Sequence, residues 1–223
     1  MGDGRLDVLI TGVGGIVGSS VYLHLAQYPD QYRLFGLGRR RELSARVLDG
    51  RRLDLPDERF CRCDLQDAPG LAQAMQGMDA VVHLAADPGD GDWDSLVRAN
   101  IVGARNVFEA CRQAQVRRLI AASTIQVSSG NQQASPVYSA LASGALAAMP
   151  ADTPRLSVEV PAEPRNLYAA TKVFAESLCR VYAGQGRMSC LAIRIGWVIS
   201  EDHPLHHRGD IWCSQADIAR LVR

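Results

Sequence analysis

The stretch Thr11-Gly12-Val13-Gly14-Gly15-Ile16-Val17-Gly18 constrains this chain more than any other. Its glycines recur as T-G-x-x-G-x-x-G directly after the aliphatic run Leu6 to Ile10, and they open a segment, Ile16 to Ala26, with the apolar spacing of a helix. At such a strand-to-helix corner, glycine permits a tight turn, lets the backbone approach a ligand and lets the helix lie close on the strand. The amides at the helix start attract negative charge, so the corner is expected to cradle a pyrophosphate over Gly12, Gly15 and Gly18, with Ile16 and Val17 between them.

The rest of the chain repeats that rhythm. Strands are expected at Tyr32 to Leu37, Arg59 to Cys63, Ala80 to Leu84, Leu119 to Ala122 and Ser189 to Ile195. Helical patterns lie at about Ser44 to Leu48, Leu71 to Met75, Trp93 to Ala114 and Tyr168 to Tyr182. This alternation implies one α/β domain over residues 1–223, a doubly wound parallel sheet with ligands beyond the carboxyl ends of its strands. Residues 126–165, rich in proline and then in alanine and serine, read as a long loop, either a lid or an insertion without function.

Composition removes other classes. The chain has 24 acidic and 24 basic side chains in 223 residues, so the basic surplus of a general nucleic-acid binder is missing. No apolar run is long enough for a membrane span, and Met1 to Arg5 lacks a secretory layout, so a soluble, cytoplasmic protein without membrane partners is expected. The six cysteines lack zinc-site spacing and are expected as reduced, mostly buried thiols, with Cys61 and Cys63 on opposite faces of a strand. His203, His206 and His207 have no partnered carboxylate or cysteine set and suggest a polar loop rather than a metal site.

Where a dinucleotide fold carries an acidic residue for the adenosine ribose, this chain reads Leu37-Gly38-Arg39-Arg40. Two guanidiniums and no carboxylate suit a 2′-phosphate, which favours NADP over NAD, although Arg39 to Arg41 is also a simple charge run. Asp64, followed by Leu65, either accepts from the adenine amine or caps the next helix. A second constellation is Tyr168-Ala169-Ala170-Thr171-Lys172. Residues four apart share a helix face, so the phenol and the ammonium project together, and a neighbouring cation lowers a phenol's pKa toward a useful range. Lys172 is also the only lysine in a chain that otherwise uses arginine, which marks it for chemistry a guanidinium cannot perform.

The glycine turn, His83-Leu84-Ala85-Ala86, Asn100, Ser123-Thr124 and the Tyr168/Lys172 pair together resemble the extended short-chain dehydrogenase/reductase family, the NAD(P)-dependent sugar epimerase/dehydratase group. The resemblance implies a Rossmann fold, with Leu84, Ala85, Ala86 and Asn100 at the cofactor. It implies Tyr168 as general acid/base, Lys172 tuning it and holding the nicotinamide ribose, and Thr124 bonding the substrate oxygen. Thr124 equally suits a strand-end backbone contact. The resemblance further implies a homodimer paired through the Trp93 to Ala114 and Tyr168 to Tyr182 helices, with Leu96, Val107, Phe108, Val173 and Leu178 as apolar candidates; the other reading of most of them is this chain's own core. Stretches such as Ile193-Arg194-Ile195-Gly196 and Trp212 to Asp217 are similar to the uronate dehydrogenase branch, where Arg208 falls near a substrate carboxylate; a surface arginine is the other reading.

Ile125 and Gln126 replace the acidic pair of dehydratases and the Asn-His of the uronate branch, and Val127-Ser128-Ser129 replaces the V-Y-G of many epimerases. The expectation is an NAD(P)-dependent oxidoreductase acting on a sugar-like carbonyl or hydroxyl. The alternatives are an epimerase or a nucleotide-binding protein without turnover. The chain stops at Arg223, so residues 196–223 are expected to form only part of a substrate-binding region.

Overall fold

The computed structural model describes residues 4–47, 51–89, 92–133, 139, 157–204 and 211–223. Six parallel strands form one sheet: β1 (Leu6–Thr11), β2 (Tyr32–Gly38), β3 (Phe60–Arg62), β4 (Ala80–His83), β5 (Arg118–Thr124) and β6 (Ser189–Ile195), ordered β3-β2-β1-β4-β5-β6. The order reverses between β1 and β4, and a crevice opens at the carboxyl ends there. The doubly wound sheet read from the sequence is therefore the fold observed.

Both sheet faces are buried, which explains why the strands read as continuous aliphatic runs. Leu9, Val81 and Leu119 face one core, shared with Leu71, Phe108 and Leu178. Their neighbours Val8, Ile10, Val82 and Ile120 face the other, shared with Val21, Leu25 and Val222. The first core is covered by α2 (Ala68–Ala74), α4 (Ala104–Gln113) and α5 (Leu167–Gly184), the second by α1 (Ile16–Leu25) and α6 (Gln215–Val222). A short α3 (Trp93–Leu96) leads through a wider π-helical turn, Val97–Gly103, into α4.

Side chains mark where helices begin. Asp67, Asp92, Asn166 and Ser214 each accept an amide in the first turn of α2, α3, α5 and α6. Helix α1 starts at Gly15 with no side-chain cap, and that end faces the crevice.

Two expectations are corrected. No helix forms at Ser44 to Val47, which is turn; the Ser44 amide bonds the Gly14 carbonyl at 2.8 Å and folds the segment over the glycine corner. Cys61 and Cys63 do not point to opposite faces: two residues apart, they share a face, and both pack against the first core. Of the apolar candidates for pairing, Leu96, Val107, Phe108 and Leu178 take the second reading and are buried in this chain's own core. All six cysteines are free. Among the described residues no helix is long and apolar enough to cross a membrane, and no cluster of three metal-ligating side chains occurs. His206, His207 and Arg208, with most of the 134–156 stretch, lie outside the described residues.

Candidate active site

The crevice is a cleft of about 480 Å³. Gly12, Gly14 and Gly15 form its floor, Arg39 and Arg40 its β2 side, and Asp64, Leu65, Leu84, Ala85 and Ala86 the walls beyond β3 and β4. The glycines are sterically required. Gly12 has φ of +70°, and a Cβ there would lie 2.8 Å from the Ala85 amide nitrogen; a Cβ on Gly18 would run into the Gly12 carbonyl. Gly18 thus acts from behind the cleft, by bringing α1 against the turn, while Ile16 and Val17 belong to the start of α1 rather than to the lining.

Thr11 and His83 brace this floor from adjacent strands. The Thr11 hydroxyl accepts the amides of Leu84 and Ala85, both at 3.2 Å, and shares a hydrogen bond with His83 Nδ1 at 2.8 Å. Burial pushes the His83 pKa down to about 3, and the Lys172 charge pushes the same way, so this imidazole is neutral.

Asn100 sits in the π-helical turn and is buried, but its side chain does not line the cleft. Its Oδ1 accepts the Asp87 amide at 2.8 Å, and its Nδ2 donates to the Asp87 carbonyl and to Thr171 Oγ1, both at 3.0 Å. Asn100 therefore clips the loop after β4 onto the helix turn that carries Tyr168. The Asp64 carboxylate accepts the Gln66 amide at 2.9 Å, a local turn bond, while the residue also lines the cleft.

Thr124, Tyr168 and Lys172 lie beyond the cleft, at the end of β5 and on α5. Lys172 is buried, its Nζ lies 5.6 Å from the Tyr168 ring centre, and it donates to the Ala122 carbonyl at 3.1 Å. Gly89, with φ of +97°, brings the loop after β4 against Tyr168: a Cβ there would lie 3.2 Å from the Tyr168 Cβ. Thr124 is buried, and its Oγ1 accepts the Gln126 amide at 3.3 Å. The geometry differs from the sequence reading in one respect. Burial and then the Asp87 carboxylate raise the Tyr168 pKa, while burial lowers that of Lys172 to about 8.

Sequence reasoning missed Asp87, which lines the cleft and holds Ser95, and it missed Glu176 behind the site. Asp87 directly follows a motif it does not belong to. Glu176, one turn past Lys172, carried the legible signal of a charge on the helix's buried face.

The residues of the cleft fit a dinucleotide: an uncapped helix start behind a glycine floor for phosphates, with arginines and a carboxylate further out. Fold and crevice together define a nucleotide-binding α/β protein of the doubly wound class. The chain matches the model of the NAD dependent epimerase/dehydratase family over residues 8–213, and it belongs to that family.

Among its relatives, L-arabinose 1-dehydrogenase (NAD(P)(+)) of Haloferax volcanii is 36% identical over 161 residues, 72% of this chain and 59% of the relative. NAD-dependent glucose-6-phosphate dehydrogenase of the same organism is 31% identical over 96% of this chain and 78% of its own length. The structure of uronate dehydrogenase from Agrobacterium tumefaciens superposes with a TM-score of 0.71 at 26% identity, covering 98% of this chain and 71% of that one. The chain thus spans under two thirds of the arabinose enzyme and more of the other two.

Proposed function

We propose that this chain oxidises a sugar hydroxyl, or reduces the corresponding carbonyl, with a nicotinamide dinucleotide. The observation that carries this reading is the Lys172 amine held 5.6 Å from the centre of the Tyr168 ring and bonded to β5, the strand that ends in Thr124, beside a glycine-floored cleft. Gly12, Gly15 and Gly18 would shape the pyrophosphate seat and Lys172 would hold the nicotinamide ribose. Leu65, Leu84, Ala85 and Ala86 would flank the bound molecule, and Asn100 would keep the loop after β4 in place. The nicotinamide supplies the hydride acceptor or donor.

The protein's own part is proton transfer at oxygen. Thr124 Oγ1 bonds the reacting substrate oxygen, and the Tyr168 phenolate takes its proton in oxidation, while the neutral phenol gives its proton to that oxygen in reduction. The similarity to sugar dehydrogenases supports a sugar-like substrate. Arg39 and Arg40, both exposed at the cleft, support NADP over NAD. A homodimer is supported by Trp93, Val102, Leu167 and Val181, exposed apolar residues on the helices named for pairing. A cytoplasmic location remains part of this reading. So does a lid role for residues 126–165 and a share of the substrate site for residues 196–223, Arg208 included.

Incubation with NADP or NAD and a panel of L-arabinose, D-galacturonate, glucose 6-phosphate and UDP-glucose, followed by cofactor absorbance and by chromatography of the sugar, tests this. Cofactor reduction is expected. Sugar isomerisation with no net cofactor reduction would replace dehydrogenation with epimerisation, and cofactor binding without any turnover would leave only the nucleotide-binding fold.

A further inference from the structure

A buried ion pair stands behind the proposed reacting groups. The Glu176 side chain on α5 is only 8% exposed, and Arg194 of β6 grips it in a fork, Nε to Oε1 and Nη2 to Oε2, both 2.8 Å. Each partner also reaches the chain around Thr124. Ser123, the residue before it, donates its hydroxyl to Glu176 Oε1 at 2.7 Å, and Arg194 Nη1 donates to Ser128 Oγ, four residues after it, at 3.0 Å. Lys172 ties the same strand one residue earlier through the Ala122 carbonyl. Thr124's own bond to the Gln126 amide, at 3.3 Å, is the longest of these and spans only two residues.

Stability is a weak reason for such a pair, because the cost of desolvating two charges rivals their attraction, and apolar replacements are often as stable. Placement is a better one. The fork joins α5, which bears Tyr168 and Lys172, to the two segments that bracket Thr124. The Nε and Nη2 of Arg194 are held by Glu176 and its Nη1 by Ser128, so that guanidinium is turned toward the protein rather than left as a free side chain.

We propose that the Glu176–Arg194 pair is a positioning device that sets the Thr124 hydroxyl opposite the Tyr168 phenol. This rests on the assignment of Thr124 and Tyr168 to the reacting oxygen. The test is a double-mutant cycle between T124A and E176Q/R194Q, the latter leaving no unpaired buried charge. The measurements are kcat and KM with the fastest sugar of the panel, Kd for the cofactor by calorimetry, and Tm.

In the parent, T124A is expected to cut kcat about 100-fold. In the E176Q/R194Q background, where Thr124 is already misplaced, the same change should cost less than about threefold, with cofactor Kd unchanged. A lowered Tm with parental kcat in E176Q/R194Q overturns the proposal and leaves the pair structural, as does a full T124A penalty in that background. No effect of T124A in the parent, or no turnover by the parent, overturns the underlying assignment and this inference with it. Should E176Q/R194Q not fold, S123A carries the same cycle: it removes only the Ser123 bond, and near-additive losses with T124A refute the proposal.

Discussion

At the residue scale the site turns on one phenol and one amine. The Tyr168 pKa is raised by burial and then by Asp87, so the phenol is protonated at neutral pH, and sugar oxidation, which needs the phenolate, should accelerate into the alkaline range. In D87N the second cause is gone, and the rise should begin at lower pH, read from pH profiles of kcat for parent and variant. Y168F should lose nearly all turnover while binding cofactor normally by calorimetry, because only the proton-carrying oxygen is removed. Lys172 is pushed down to about 8 by burial. A lysine with a depressed folded pKa opposes folding below that pH, and the opposition fades as pH rises from about 8 to the unfolded value near 10.4. K172M should therefore be more stable than the parent at pH 7, by about 1 to 3 kcal/mol, and the gap should narrow toward pH 10 in denaturant titrations. The Y-x-x-x-K spacing made this pair legible in the sequence. Asp87 and its upward pull on the phenol were not, because only the loop bend at Gly89 brings that segment to the tyrosine.

At the element scale, six strands and most helices were legible because parallel strands buried on both faces must be aliphatic throughout. The supposed helix after β2 failed for a local reason: Ser44 spends its amide on the Gly14 carbonyl, a bond no helical pattern records. The π-helical turn was equally invisible, since Asn100 has no sequence neighbour that predicts its bonds to Asp87 and Thr171. The corner before α1 is the least tolerant element. G18A drives a methyl into the Gly12 carbonyl, and it should weaken cofactor binding by orders of magnitude in calorimetry while lowering Tm. Helix α6 is pinned to α1 by one buried amide: Gln215 Oε1 accepts from Ser20 at 2.8 Å and Arg51 at 2.6 Å, while its Nε2 donates to the Ile199 carbonyl at 2.8 Å. Q215A removes these buried bonds, though each partner keeps another, and should cost about 1 to 3 kcal/mol in chemical denaturation.

At the scale of the whole molecule, buried thiols set the alkaline limit. Burial raises Cys63 and Cys190 to about 11 and Cys179 to about 12, and Cys111 higher still. Unfolded thiols ionise near 8.5, so the stability these groups contribute is complete below that pH and is lost as pH climbs toward the folded values. Unfolding free energy should accordingly fall between pH 9 and pH 11, by up to about 1.4 kcal/mol per thiol per pH unit, and less where a thiol is partly exposed. The sole lysine adds a different property to the folded protein. Because Lys172, the one lysine of this sequence, is buried between helix and sheet, an amine-selective acylating reagent meets no ε-amine of these residues on the native surface. Opening α5 away from β5 releases that amine, so a single mass increment at Lys172 counts the molecules that have opened, and the kinetics of its appearance time the loosening of the very helix that carries the phenol.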